Sequence, residues 1–126
     1  MSRPPTVLIV DDDPSHLKLY SWIIQRAGFH AAGALVGSIK VVYPETRDID
    51  LITLDYRLAS TLSAPQIAEE LNRLYPNVPI IVLSELAWLP ADVSKYAAGF
   101  VSKGEPQQLV ELIGKLTRYP VASPKD

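Results

Sequence analysis

The sequence predicts a doubly wound α/β domain: a five-stranded parallel sheet with helices on both faces. Three observations carry this. Short apolar runs end in turn or acidic residues, as in Val7-Leu8-Ile9-Val10, Leu51-Ile52-Thr53-Leu54 and Ile80-Ile81-Val82-Leu83. Such uninterrupted runs are what strands buried on both faces look like. Segments with apolar residues at helical spacing stand between them, and strict βα alternation implies right-handed crossovers onto both sheet faces. Finally, many of the 11 prolines fall where an element starts or stops.

Taken in order, Val7–Val10 is the first strand. Asp13-Pro14 reads as a helix N-cap with proline in the first turn. His16, Leu19, Tyr20, Ile23, Ile24 and Ala27 repeat at helical spacing, and Gly28 closes that helix. His30–Leu35 is the second strand, diluted by alanine and glycine. A short helix over Ser38–Tyr43 is expected before Pro44, followed by the third strand, Leu51–Leu54. Pro65–Leu74 is the next helix, with Ile67, Ala68, Leu71 and Leu74 on one face. Pro79–Ser84 is the fourth strand, and its leading proline is tolerated at a strand start. A short helix over Ala91–Ala98, a fifth strand at Phe100–Ser102 and a last helix over Pro106–Leu116 complete the pattern. The division is residues 1–5 as an N-terminal extension, 6–118 as the domain, and 119–126 as a loose tail.

Composition narrows the function. A chain of 126 residues with 48% hydrophobic content has one core to fill. There is no cysteine, which removes disulfides, thiol catalysis and cysteine-ligated zinc. The net charge of −2, with no run of Lys or Arg, speaks against a nucleic-acid surface. No stretch approaches the roughly 20 apolar residues of a membrane helix, and Met1–Pro5 lacks the apolar segment of a signal peptide. A cytoplasmic domain without membrane contact is expected.

The chemistry sits at the strand ends. Asp11, Asp12 and Asp13 follow the first strand and Asp55 ends the third. Open α/β sheets place their ligand crevices at these carboxyl ends. Carboxylates gathered there repel and raise one another's pKa unless a cation neutralises them. Hard oxygens suit Mg²⁺.

Four segments together resemble a known family. Val-Leu-Ile-Val-Asp-Asp-Asp-Pro, Leu-Ile-Thr-Leu-Asp-Tyr-Arg-Leu, Ile-Ile-Val-Leu-Ser and Gly-Phe-Val-Ser-Lys occur in that order and at fitting spacings. They are similar to the strand ends of response-regulator receiver domains over roughly Thr6 to Leu116. The resemblance implies a flavodoxin-like sheet of order 2-1-3-4-5. It implies Asp55 as phosphoacceptor, with Asp11, Asp12, Asp55 and the backbone carbonyl of Arg57 around Mg²⁺, and Asp12 a more direct ligand than Asp11. Lys103 would meet a phosphoryl oxygen. Ser84 would hydrogen-bond the phosphoryl group and move toward it, while Phe100, standing where tyrosine is commoner, turns inward. The implied donor is a sensor histidine kinase or a histidine phosphotransfer protein, with output through a downstream protein target. The protein would be a phosphoacceptor rather than an enzyme, and a monomer or weak homodimer.

Departures from the family's pattern qualify this picture. Gly104 follows Lys103 where many members carry a cis proline, so a trans bond is expected. Ala59 replaces a proline, and Ala64-Pro65 stands where a glycine is usual. Glu85 replaces a small residue; it would either alter the lifetime of phosphorylated Asp55 or pair with Arg57 or Lys103. The segment between Ser84 and Lys103 is short, so the fourth helix is reduced or displaced. Trp22 and Leu17, off the buried stripe, are candidates for partner docking. His16 reads as a packed or capping histidine.

The expected function is a stand-alone receiver, with no output domain after Leu116. The alternatives are an unphosphorylated pseudo-receiver or a receiver belonging to a hybrid kinase phosphorelay. An aspartate-nucleophile phosphatase is disfavoured by Arg57, which stands where a second acid is needed. A flavin-binding protein is disfavoured because three aspartates would repel a cofactor phosphate.

Overall fold

The computed structural model describes residues 3–122. The elements are β1 (Thr6–Asp11), α1 (Pro14–Arg26), β2 (His30–Val36), β3 (Val41–Val42), β4 (Leu51–Asp55), α2 (Ala64–Leu74) and β5 (Ile80–Ser84), then a 3₁₀ turn (Ala91–Val93), β6 (Ala97–Ser102) and α3 (Pro106–Thr117). The sheet runs β3-β2-β1-β4-β5-β6. Without β3, that is the 2-1-3-4-5 order, all parallel. The doubly wound parallel architecture therefore stands, with six strands instead of five.

Strand alternation divides the core in two. Val7, Ile9, Leu51, Ile81 and Leu83 face α1 and α3, where they meet Ile24, Leu109 and Ile113. Leu8, Val10, Ile52, Leu54 and Val82 face the other way, onto Ile67, Ala68 and Leu71 of α2. Every residue of β4 and β5 is buried, as expected for central strands covered on both sides.

The cap of α1 is the one the sequence indicates, and α2 has one the sequence analysis did not name. The Asp13 carboxylate accepts the Ser15 N–H at 2.8 Å, and Pro14 opens α1. Ser63 and Gln66 form a reciprocal capping box at α2.

Four expectations fail, each for a local reason. The segment expected to be a helix over Ser38–Tyr43 is a tight turn, closed by the Gly37 N–H to the Lys40 carbonyl at 2.8 Å. Val41 and Val42 then return antiparallel along β2. Two β-branched residues between a turn and Pro44 have no room for a helical turn and extend readily. The segment is held on α2 by the Tyr43 hydroxyl donating to Glu70.

The helix over Ala91–Ala98 is only the 3₁₀ turn, because β6 claims the chain from Ala97 to pair with β5. The sheet's second face thus carries one α-helix.

The tail expected to be loose from Tyr119 is packed up to Ala122. Its Ala122 N–H donates to the Ala27 carbonyl at 2.8 Å, and Tyr119 and Val121 join the α1–α3 face. A Cβ on Gly114 would stand 2.7 Å from Val121 Cγ2, so this glycine admits the returning chain. Residues 123–126, the rest of that segment, lie outside the described residues, as do Met1 and Ser2.

The inward stripe of α1 is also rotated from the expected one. Leu17 packs on the core with Tyr20, Ile23 and Ile24, whereas Leu19 is 51% exposed. Leu17 is partly buried on this face, while Trp22 is 57% exposed.

Candidate functional site

The parallel strands deliver their last residues to one edge. Asp11 ends β1, Asp55 ends β4, and Ser84 ends β5 beside Ser102 at the end of β6, with Lys103 next in the chain. Asp11, Asp55 and Ser84 are each at most 2% exposed. Buried polar groups require partners, and the contacts supply them. Lys103 Nζ lies 2.9 Å from Asp55 Oδ1. The Arg57 N–H donates to the same Asp55 oxygen at 3.3 Å, leaving Oδ2 as the oxygen used by neither. The Asp13 N–H donates to Asp11 Oδ1 at 3.0 Å.

The electrostatics follow from this crowding. Burial pushes the Asp11 carboxyl up to about 6; the Asp13 N–H works against that, and the nearby Asp55 charge and a hydrogen bond with Asp12 add to it. For Lys103, burial alone would lower the ammonium, but the hydrogen bond and charge of Asp55 outweigh it, and the net shift is upward. One lysine thus faces two buried carboxyls, and the pocket retains an affinity for further positive charge.

Other expected residues occupy more varied places. Asp12 accepts the Ala59 N–H at 2.8 Å, tying the loop after β4 to the end of β1. Ser84 Oγ accepts the Leu86 N–H at 3.0 Å, and its carbonyl accepts the Lys103 N–H at 2.8 Å, which joins the two strand ends. Phe100 pairs with Val82 and is partly buried against the α2 face. Glu85 is exposed, and among the described residues no ion pair links it to Arg57 or Lys103. Gly104 has φ +88°, a conformation that favours glycine, and no peptide bond among the described residues is cis.

Two residues at the pocket escaped the sequence reading. His16, in the first turn of α1, has Nδ1 3.5 Å from Asp11 Oδ2 and Nε2 3.6 Å from Asp13 Oδ2. One ligand atom each from Asp11, His16 and Asp55 lie within 4.8 Å of one another. Asp13, not His16, caps the helix. Tyr20, one turn further along, stacks edge-on to His16 with ring centroids 6.5 Å apart. The usable signal was position: the first turn of a helix that follows a strand end overhangs that strand's carboxyl edge.

A parallel sheet with an acid pocket and a lysine at its carboxyl edge defines a class of phosphate-handling signalling domain. The family model for the response regulator receiver domain matches residues 7–114, and the chain belongs to that family. It is 27% identical to the chemotaxis protein CheY of Thermotoga maritima over 118 residues, 89% of this chain and 97% of that protein. It is 27% identical to the transcriptional regulatory protein GlrR of Escherichia coli K12 over 100 residues, 79% of this chain. That match takes in only 22% of GlrR, so the chain spans about a fifth of that relative. In fold it is similar to the chemotaxis protein CheY4 of Vibrio cholerae, with a TM-score of 0.71 and 20% identity over 90% of this chain and 98% of that one. Among the described residues no helix is long and apolar enough to cross a membrane.

Proposed function

We propose that this protein is a stand-alone receiver that accepts a phosphoryl group on Asp55 from the phosphohistidine of a sensor kinase or phosphotransfer protein. The observation carrying this reading is the 2.9 Å contact of Lys103 Nζ with Asp55 Oδ1 beside the buried Asp11. In the transfer, an Asp55 oxygen forms a new P–O bond as the donor's P–N bond breaks. The electron pair of that bond stays on the donor imidazole, and the product is an acyl phosphate.

Lys103 holds Asp55 in place beforehand and is positioned to meet a phosphoryl oxygen afterwards. The backbone N–H of Arg57 adds a second fixed dipole at the same oxygen. Asp11, Asp55 and, through the loop it anchors, Asp12 form the acid set that fits a divalent cation such as Mg²⁺, and the Arg57 carbonyl is a further candidate oxygen. A cation bound there supplies neutralising charge to the phosphoryl oxygens.

Ser84 carries the switch: to bond a phosphoryl oxygen its hydroxyl reorients at the Leu86 N–H, and Phe100 repacks behind it. Glu85, exposed at the mouth, tunes the lifetime of the phosphoryl group by repulsion. Trp22 offers a contact for the donor's helix, and the output is a protein partner met as monomer or weak homodimer in the cytoplasm.

Incubation with acetyl phosphate and Mg²⁺ followed by intact mass measurement tests the central step. The protein should gain one phosphoryl group, and Asp55→Asn should gain none. An unmodified wild-type chain would favour the pseudo-receiver reading.

A further inference from the structure

We propose that His16 is a third protein ligand of the cation in the acid pocket. Through it, the pocket shifts its preference from Mg²⁺ toward Mn²⁺ and the later first-row divalent ions. This rests on the reading that the pocket holds a divalent cation, and adds which cation and by what residue.

Geometry points the imidazole at the site. Its Nδ1 is buried and has no hydrogen-bond partner, although the side chain as a whole is 42% exposed. The unpartnered nitrogen is thus on the edge facing the pocket, 3.5 Å from Asp11 Oδ2. A ligand atom from each of Asp11, His16 and Asp55 falls within a 4.8 Å span. Ligands on bonds of about 2.1 Å sit roughly 3 Å apart when adjacent and just over 4 Å when opposite. The three therefore stand wider than a closed shell and come onto one ion by rotation of their side chains.

The other ring nitrogen also lies toward a carboxylate. Metal-bound histidines characteristically direct their remaining ring N–H to a carboxylate, which fixes tautomer and orientation. His16 Nε2 faces Asp13 Oδ2 at 3.6 Å. Asp13 itself is held by capping α1, and the ring is stacked edge-on to Tyr20. Both contacts bear on the ring from outside the pocket, the Asp13 one at a distance longer than a hydrogen bond.

The selectivity follows from ligand type. Mg²⁺ favours oxygen donors and gains little from imidazole, whereas affinity for nitrogen rises along the first-row series from Mn²⁺. An all-carboxylate pocket discriminates less steeply along that series. As a mere ion-pair partner, a protonated His16 would weaken every cation alike, and its removal would leave the ratio of affinities unchanged.

The test is titration of the 126-residue chain with Mn²⁺ and with Mg²⁺ by calorimetry, in wild type, His16→Ala and His16→Gln, with circular dichroism to verify folding. Pulsed electron paramagnetic resonance of bound Mn²⁺ reads ¹⁴N coupling directly. We expect an imidazole nitrogen coupling in wild type and none in either variant. The Mn²⁺ over Mg²⁺ affinity ratio should drop about 10-fold or more on losing the ring. If both ions bind but the coupling is absent, or the ratio is the same in all three proteins, the proposal is overturned while the cation reading survives. If neither ion binds wild type, the cation reading fails and this proposal with it.

Discussion

The acid pocket and the β5–β6 connection lie next to one another and are built on opposite principles. In the pocket, Asp11 and Asp55 are the last residues of buried strands, and neighbouring strands lock this edge by register: Asp55 pairs with Leu83 and Ser84 with Ser102. Between Glu85 and Tyr96 the chain has one 3₁₀ turn, an exposed Trp88 at 65%, and Val93 as its fully buried hydrophobic anchor. Its reach back to the domain includes the Tyr56 hydroxyl, which meets both Asp92 carboxylate oxygens at 3.0 and 3.1 Å. The pocket is positioned by cooperative pairing, whereas the connection hangs on a few individual contacts. Such a division suits a domain that must hold its chemistry still while an adjoining segment moves, since mobile elements come from the weakly anchored end of a structure.

The largest effect should come from the pocket's cationic side chain. Lys103→Ala removes the ammonium that lies 2.9 Å from Asp55 and leaves two buried carboxyls facing each other. Losing one preorganised donor to a developing anion typically costs about 100-fold in rate. Phosphorylation of Asp55 by acetyl phosphate should slow by about that factor, as followed by intact mass over time. A rate within about twofold of wild type would place the lysine outside the chemistry.

The same contrast explains what was legible in the sequence. Val7–Val10, Leu51–Leu54 and Ile80–Leu83 announce their strands because burial on both faces demands unbroken apolar runs, and strand ends fix where Asp11, Asp55 and Ser84 converge. Lys103, one residue past the mostly half-buried β6, was legible only through the resemblance of Gly-Phe-Val-Ser-Lys to the receiver pattern. The unreadable parts lack such a constraint. Val41-Val42 follows a turn whose defining contact is a backbone hydrogen bond from Gly37 to Lys40, which no side-chain pattern records. Residues 91–98 suggest a helix because Ala97 and Ala98 favour one, and pairing with β5 overrides that preference. The stripe of α1 was misphased because Leu17 and Leu19 are equally apolar, and the helix's rotation over the sheet decides between them. His16 and Tyr20 were missed since their proximity to Asp11 arises from the angle at which α1 leaves β1.

A smaller effect should separate charge from packing within the pocket. The Asp11 carboxyl is raised from 3.8 to about 6, chiefly by burial. A raised acid binds its proton more tightly when folded, so the ionised form opposes folding. The penalty is absent below about pH 4, grows between about 4 and 6, and is complete above that. Asp11→Asn, which still accepts the Asp13 N–H, should therefore stabilise the metal-free protein at pH 7 but not at pH 4. At about 1.4 kcal/mol per pKa unit as an upper bound, reduced by relaxation of the pocket around the charge, the gain is about 1 to 3 kcal/mol. Urea unfolding in chelator at the two pH values measures it. Equal stabilities of variant and wild type at both would show that Asp11 carries no such penalty.

The smallest effect tests the connection. Tyr56 leads directly out of the Asp55 strand, and its backbone N–H is fixed to the Leu83 carbonyl at 2.8 Å, so its hydroxyl is the variable part. Tyr56→Phe removes the bond to Asp92 without disturbing the strand. Because that bond is exposed to solvent, global stability should fall by no more than about 0.5 kcal/mol. Local opening should change more than global stability, since one of few tethers is lost. Hydrogen exchange should therefore quicken over residues 90–96 and stay unchanged in β1 and β4. Faster exchange spread evenly over the sheet would mean that the connection is coupled to the pocket's pairing, and the two regions would then be a single unit.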